Sequence, residues 1–172
     1  MNISNKYDAA FRMLERIGEI ETLSKSDIMT IHDTLIERIG GSYGIRDNNL
    51  LESVVAAPYQ CVFEEELYPS LFDKAGKYMF DFCNYQIFVD GNKRTGVASA
   101  ETFLNQNGYE MTFTNEEIYN LAIDIATGKI TNPCEVGNKI SQHVKFFKEP
   151  NYEQNNELEE QSEPDDDYEE ER

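Results

Sequence analysis

Apolar residues recur every three or four positions along most of this chain, which is the spacing of one buried face of an α-helix. The alternating pattern that is typical of half-buried strands is scarce. We therefore predict an all-α domain of six or seven helices between residues 25 and 148. Ahead of it, residues 1–24 form an N-terminal extension whose apolar positions predict one amphipathic helix, able either to pack on the domain or to bind a partner.

Paired capping residues support the predicted helix starts. Ser24 with Asp27, and Thr114 with Glu117, have the spacing at which each side chain accepts a hydrogen bond from the other residue's backbone N–H. Gly40 follows the first of these helices, as glycine commonly does after a helix C-terminus.

Two further segments complete the predicted domain. Residues 59–69 are irregular and partly apolar, which indicates a loop or very short strands. The last helix is predicted to begin at Asn132-Pro133, because proline favours the first helical position, and to continue through Val144 and Phe147.

The charge of the chain is concentrated at its C-terminus. Residues 149–172 hold 12 of the 33 acidic residues and one of the 15 basic ones, which predicts a disordered acidic tail. That tail either stays solvated or competes with phosphate for basic side chains. The other 148 residues hold 21 acidic and 14 basic residues, so the domain lacks the basic face that nucleic-acid binding requires. With no apolar membrane span and no apolar signal core, we expect a cytoplasmic protein.

The cysteines do not form a metal-ligand pattern. Cys61, Cys83 and Cys134 are scattered and odd in number, and only His32 and His143 accompany them. We interpret the cysteines as buried thiols rather than zinc ligands. His32 lies beside the apolar positions of its predicted helix, where a lone histidine is most often structural, so we do not nominate it as a base.

The residues that carry chemistry are concentrated in one loop, residues 86–96, which leads into a predicted helix. The first turn of a helix attracts anions, because its N–H groups are unpaired and the helix dipole is positive there. Asn92, Lys93 and Arg94 add donors at this end, and Gly91 allows the backbone to approach a ligand closely. Asp90 is a hard oxygen ligand that suits Mg²⁺. The loop therefore predicts a site for a nucleotide phosphate and a metal.

The string from Phe88 to Thr95 resembles the central motif of the Fic/Doc (Fido) superfamily, His-x-Phe-x-Asp-Gly-Asn-Lys-Arg-Thr, and Lys93 resembles the death-on-curing (Doc) branch. The first position departs from this pattern, because Gln86 stands where the family has His. A second segment, Gly-Gly…Gly-Ile-Arg-Asp…Leu-Leu-Glu-Ser in residues 40–53, is similar to the stretch that precedes the motif in Doc-like proteins. Two matches thus occur in the same order as in the family.

The resemblance implies a Fic/Doc-like helical bundle with a small flap, residues 59–69, that positions the target side chain. It also implies ATP or another nucleotide, with Mg²⁺, as cofactors, and Asp90 as the metal ligand. The positions implied in phosphate binding are Gly91, Asn92, Lys93, Arg94 and Thr95. The positions implied in catalysis are Gln86, Lys93 and Arg94.

The family transfers a nucleotide monophosphate or, in Doc-type toxins, the γ-phosphate of ATP to a protein hydroxyl such as a Thr of elongation factor EF-Tu. The resemblance also implies a small antitoxin as partner. An amide has no useful proton affinity near neutral pH, so Gln86 predicts an inactive or impaired enzyme, either through an introduced substitution or in a natural binding domain. The alternative is a catalytically dead module that binds nucleotide or protein. A generic helical scaffold, the third hypothesis, predicts no nucleotide binding.

Overall fold

Six α-helices account for most of residues 20–146, the part of the chain that the computed structural model describes. The helices are α1 (Lys25–Ile39), α2 (Asn48–Ala56), α3 (Leu71–Asn84), α4 (Asn92–Gln106), α5 (Asn115–Ala126) and α6 (Pro133–Ser141). The strands are β1 (Cys61–Val62), β2 (Glu65–Glu66), β3 (Tyr109–Met111) and β4 (Val144–Phe146). This confirms the predicted all-α class. The acidic tail and most of the predicted N-terminal helix lie outside the described residues.

The predicted helix starts are confirmed. Ser24 and Asp27 form a complete capping box at α1, and Thr114 and Glu117 form another at α5. Residues Ser70 and Asp73 add a third at α3, which the apolar pattern alone did not indicate. Asp47 caps α2 by accepting from the backbone N–H of residue 50 at 2.9 Å.

Helix α3 lies at the centre of the bundle, against both α4 and α6. Its fully buried apolar residues are Ala75, Tyr78, Met79 and Phe82. Glycines allow the helices to approach closely. A Cβ built on Gly76 of α3 would lie 2.5 Å from the backbone nitrogen of Gly137 on α6, and one on Gly96 of α4 would lie 3.0 Å from the carbonyl oxygen of Met79. This close packing fixes the direction in which the chain enters and leaves the loop between α3 and α4.

The prediction that the last helix continues through Val144 and Phe147 was wrong. Helix α6 ends at Ser141, and residues 144–146 form β4, which pairs antiparallel with β3. The pairing satisfies backbone groups of both segments and seats Val144 against the core, while the rings of Tyr109 and Phe146 meet edge to face at 5.3 Å. Residue 147 lies outside the described residues.

The segment predicted to form a flap is a short hairpin, β1 paired antiparallel with β2. Its tip holds Phe63 and Glu64 at positive φ, and the Phe63 side chain is 97% exposed. At its base, the buried ammonium of Lys74 on α3 binds the carboxylate of Glu66 and the carbonyl oxygen of Tyr68. The hairpin is thereby tied to the central helix. Across residues 20–146, no helix has the length and apolar character needed to cross a bilayer.

Candidate nucleotide-phosphate site

The N-terminus of α4 differs from the other helix starts within residues 20–146. Each of the other five α-helices has a side chain that accepts a backbone N–H at its first turn, whereas no side chain caps α4. The residue before α4 is Gly91, in a left-handed conformation with φ of 79° that other residues adopt only with strain. The first turn of α4 therefore presents uncapped N–H groups and the positive end of the helix dipole.

This terminus opens into a cleft of about 650 Å³. The polar part of its lining contains Gln86, Asp90, Gly91, Asn92, Lys93, Arg94 and Glu101. The apolar part contains residues of α1, α4 and α5, including Leu35, Val97, Ile118 and Ile123. A polar floor with basic side chains thus meets an apolar wall, which is the usual composition of a site for a small charged ligand.

Asn92 holds the motif loop in shape through its side chain. Its Oδ1 accepts from the backbone N–H of Phe88 at 2.8 Å, and its Nδ2 donates to the carbonyl oxygen of Phe88 at 2.9 Å. The ring of Phe88 is fully buried. The Asn92 amide is therefore occupied within the loop, and no side chain caps the helix start at which its backbone lies.

Asp90 and Arg94 lie side by side at the lip of the cleft. The Asp90 carboxylate accepts from the Gly91 N–H at 2.6 Å and lies 3.6 Å from the Arg94 guanidinium. Arg94 also donates to the carbonyl oxygen of Gly40 at 2.9 Å, which ties α4 to the end of α1. Both side chains remain partly exposed. Lys93 is exposed and has no ion pair within the described residues.

The second segment that resembled the family, residues 40–53, supports the motif loop directly. The Val89 N–H donates to the carbonyl oxygen of Gly44 at 2.9 Å, and the Arg46 N–H donates to that of Ile87 at 2.7 Å. The Arg46 guanidinium adds a bond to the Val89 carbonyl oxygen at 3.3 Å. Two stretches about 40 residues apart therefore form one hydrogen-bonded unit.

Thr95, which the resemblance implies in phosphate binding, lies beneath the cleft and not in its lining. Thr95 is fully buried and does not line the cleft, so its side chain cannot reach a ligand there. Its Oγ1 and the Oγ of Ser99, one turn later, have no hydrogen-bond partner among residues 20–146. Thr95 is a packing residue beneath the site.

His32 contacts the motif loop, and the sequence did not predict this contact. It is 1% exposed, and its Nε2 lies 3.1 Å from the carbonyl oxygen of Asp90. It contacts the motif loop from below and does not line the cleft. Its position among apolar residues gave no signal of this contact, which joins positions 58 apart in the chain.

Cysteine chemistry is not supported in this cleft. Cys83 lines it, but burial raises the pKa of the Cys83 thiol to about 12, against a smaller opposing effect of Lys93. A thiol that stays protonated near neutral pH is a poor nucleophile. In the part of the chain that the structure describes, no group of three or more His, Cys, Asp or Glu side chains is arranged to hold a metal by itself.

Comparisons with known proteins agree with the geometry. A family model described as the Fic/DOC family matches residues 22–104. The chain is 35% identical over 109 residues to a protein named Toxin Doc from Mycolicibacterium smegmatis, covering 62% of this chain and 82% of that protein. It is 33% identical over 109 residues to Protein kinase doc from Escherichia phage P1, covering 63% of this chain and 85% of that protein.

Proposed function

This chain belongs to the Fic/DOC family, and on that premise we propose that it is a Doc-like toxin that transfers phosphate from ATP to a protein hydroxyl. The observation that carries the proposal is the uncapped N-terminus of α4 at the floor of the cleft. The similarity to a protein named as a kinase favours phosphate over a nucleotide monophosphate as the transferred group.

The phosphates would bind where the helix N–H groups, Lys93 and Arg94 converge. Gly91 lets the backbone approach, and Asn92 keeps the loop in the shape that presents those N–H groups. Lys93 and Arg94 neutralise the charge that accumulates on the oxygens during transfer. Phosphoryl transfer depends mostly on such positioning and charge stabilisation, so the surviving residues contribute a large part of what the reaction needs.

The donor set fits Mg²⁺ held jointly by protein and nucleotide. Asp90 offers a half-exposed carboxylate at the lip of the cleft, and residues 20–146 contain no group of three or more side chains arranged to hold a metal. Mg²⁺ is commonly bound by one or two carboxylates together with substrate phosphates and water. When bound, it would offset phosphate charge, while Arg94 keeps the Asp90 carboxylate in place.

Gln86 limits the reaction at its first step. The target hydroxyl oxygen forms a bond to the γ-phosphorus as the bond to the bridging oxygen of ADP breaks, and the hydroxyl proton must leave. The amide oxygen of Gln86, exposed in the cleft, can accept a hydrogen bond from that hydroxyl but cannot take its proton. The proton then passes to water, and the loss of a general base lowers the rate about 10²–10⁴-fold.

The target and partner follow from the same premise. We propose a Thr of elongation factor EF-Tu as the phosphate acceptor, presented along the hairpin of residues 59–69, and a small antitoxin as the restraining partner. Both would act in the cytoplasm, where ATP and the elongation factor are found.

Label transfer into a bacterial lysate tests the proposal. The chain and a Gln86→His variant are incubated with Mg²⁺ and either γ-labelled or α-labelled ATP. A Gln86→His, Asp90→Asn double variant serves as the matched control, because it has the base but lacks the metal ligand. We expect the Gln86→His variant alone to label a band of the size of the elongation factor strongly, and only from the γ position.

Each other outcome has a distinct meaning. Label from the α position would place the chain among nucleotide-transferring members of the family. If no variant transfers label but the chain binds Mg·ATP, the alternative function is supported, a nucleotide-binding or protein-interaction module without catalysis. Gln86 is the observation that favours this second function. Absence of both transfer and nucleotide binding would refute the phosphate transferase and the nucleotide-binding module, and would leave only the protein-interaction module.

A further inference from the structure

Three aromatic rings lie nearly parallel beneath the motif loop. The imidazole of His32 stacks on the ring of Phe88, with centroids 3.9 Å apart and 14° between the planes. The ring of Phe88 is also nearly parallel to that of Phe82, at 6.1 Å. None of the three residues is more than 1% exposed. The imidazole is therefore held in one orientation by packing before any hydrogen bond is considered.

Both imidazole nitrogens face hydrogen-bond acceptors. Nε2 lies 3.1 Å from the carbonyl oxygen of Asp90, and Nδ1 lies 2.8 Å from Oδ1 of Asp33. The Asp90 carbonyl oxygen and the Asp33 carboxylate both only accept, so each contact requires a proton on the ring nitrogen that makes it. With its proton on Nε2, His32 donates from α1 into the backbone of the motif loop.

The peptide that joins Asp90 to Gly91 is the element held by this contact. Its N–H donates to the Asp90 carboxylate, and Gly91 is the left-handed residue from which α4 starts. A Cβ built on Gly91 would lie 3.7 Å from Cδ2 of His32 and 3.2 Å from Cδ1 of Ile36, so α1 closes the underside of the turn. Rotation of this peptide would move both the carboxylate and the first N–H groups of α4.

We infer that His32 is a positioning residue, which fixes the Asp90–Gly91 peptide and thereby orients the metal-binding carboxylate and the phosphate-binding helix start. This inference rests on the proposed function for its ligands. It adds to that function a residue outside the motif and outside the cleft lining, contributed by a different helix.

A pair of histidines offers a matched comparison. His143 is also stacked on a phenylalanine, Phe113, at 4.2 Å, and its Nδ1 contacts the carbonyl oxygen of Lys139 at 3.0 Å, so its contacts lie outside the motif loop. His32→Phe and His143→Phe each keep a ring and remove the hydrogen bonds. His32→Gln is the rescue variant, since its amide restores an N–H donor, and it serves as the test variant if His32→Phe does not fold.

Calorimetric titration with Mg·ATP, and with ATP in the presence of EDTA, measures the effect on the ligand site. We expect His32→Phe to weaken Mg·ATP binding by about three- to tenfold, the size of one lost hydrogen bond. We expect a smaller loss without Mg²⁺, an intermediate affinity for His32→Gln, and no change for His143→Phe. Equal losses with and without Mg²⁺, or an equal loss in His143→Phe, would overturn the inference.

Amide hydrogen exchange of Gly91 in the ligand-free chain distinguishes a failure of the inference about His32 from a failure of the proposed function. We expect faster exchange in His32→Phe and unchanged exchange in His143→Phe. Unchanged exchange in His32→Phe would overturn the inference whatever the chain binds. Faster exchange in a chain that binds no Mg·ATP, even with Gln86→His, would refute the proposed function and the metal-orienting part of the inference, and would support the contact between His32 and the turn.

Discussion

Replacement of Asn92 by Ala should destabilise the fold itself, even though this residue belongs to the motif that resembles a ligand site. Its side chain makes the two hydrogen bonds that pair both backbone groups of Phe88, a residue with no exposed surface. Truncation leaves one buried donor and one buried acceptor unpaired. Each such group costs about 1–3 kcal/mol, so we expect a loss of about 2–4 kcal/mol after partial hydration from the cleft.

Asn84→Ala is the matched control for this experiment. The Asn84 amide donates to the carbonyl oxygen of Phe80 at 3.1 Å, but it is exposed at the end of α3, where water can replace it. Both variants exchange asparagine for alanine, so differences in intrinsic helix preference largely cancel. We expect the control to stay within about 0.5 kcal/mol of the parent chain.

Urea denaturation followed by circular dichroism, without nucleotide, provides the measurement. In a thermal melt, the same loss of unfolding free energy for Asn92→Ala would appear as a decrease in melting temperature on the order of 10 °C. An Asn92→Ala variant as stable as Asn84→Ala would refute the reasoning that the amide clamps the loop. Such a result would instead favour the ligand-binding role that the motif implies for the Asn92 side chain.

Three further predictions address the packing, the flap and the acid stability. Gly137→Ala places a methyl group against the backbone of α3 at Phe72 and Asp73, so urea denaturation should show a loss of about 1–3 kcal/mol; unchanged stability would contradict the close crossing. Lys74→Met should speed amide exchange in the hairpin of residues 59–69, and leave α5 unaffected. Hydrogen bonds from the Ser24 side chain and backbone lower the pKa of Asp27 below 3.8, so its contribution to stability is present above the unfolded pKa and lost as pH falls through the folded one. Asp27→Asn should flatten this acid dependence in thermal melts between pH 5 and about pH 2, and an unaltered profile would contradict the assignment.

Local signals in the sequence determined the helices and the motif. A capping box such as Ser24 with Asp27 acts within one turn, so its residues specify a helix start without help from the rest of the chain. The order of residues from Phe88 to Thr95 likewise identified the loop and the start of α4, because a ligand site at a helix terminus is built from neighbouring positions. Recognition of the family followed from those same residues.

Contacts between distant positions were decided only by the tertiary structure. Residues 144–146 form a strand because the backbone of β3 offers them partners, and no local pattern in these residues encodes that pairing. Thr95 is hidden because α4 packs on α3 along that face, although its place in the motif suggested a ligand contact. His32 reaches the motif loop only because α1 crosses beneath it. Local hydrogen bonds can be inferred from residues that are neighbours in the sequence, whereas burial and long-range pairing depend on which surfaces the folded helices bring together.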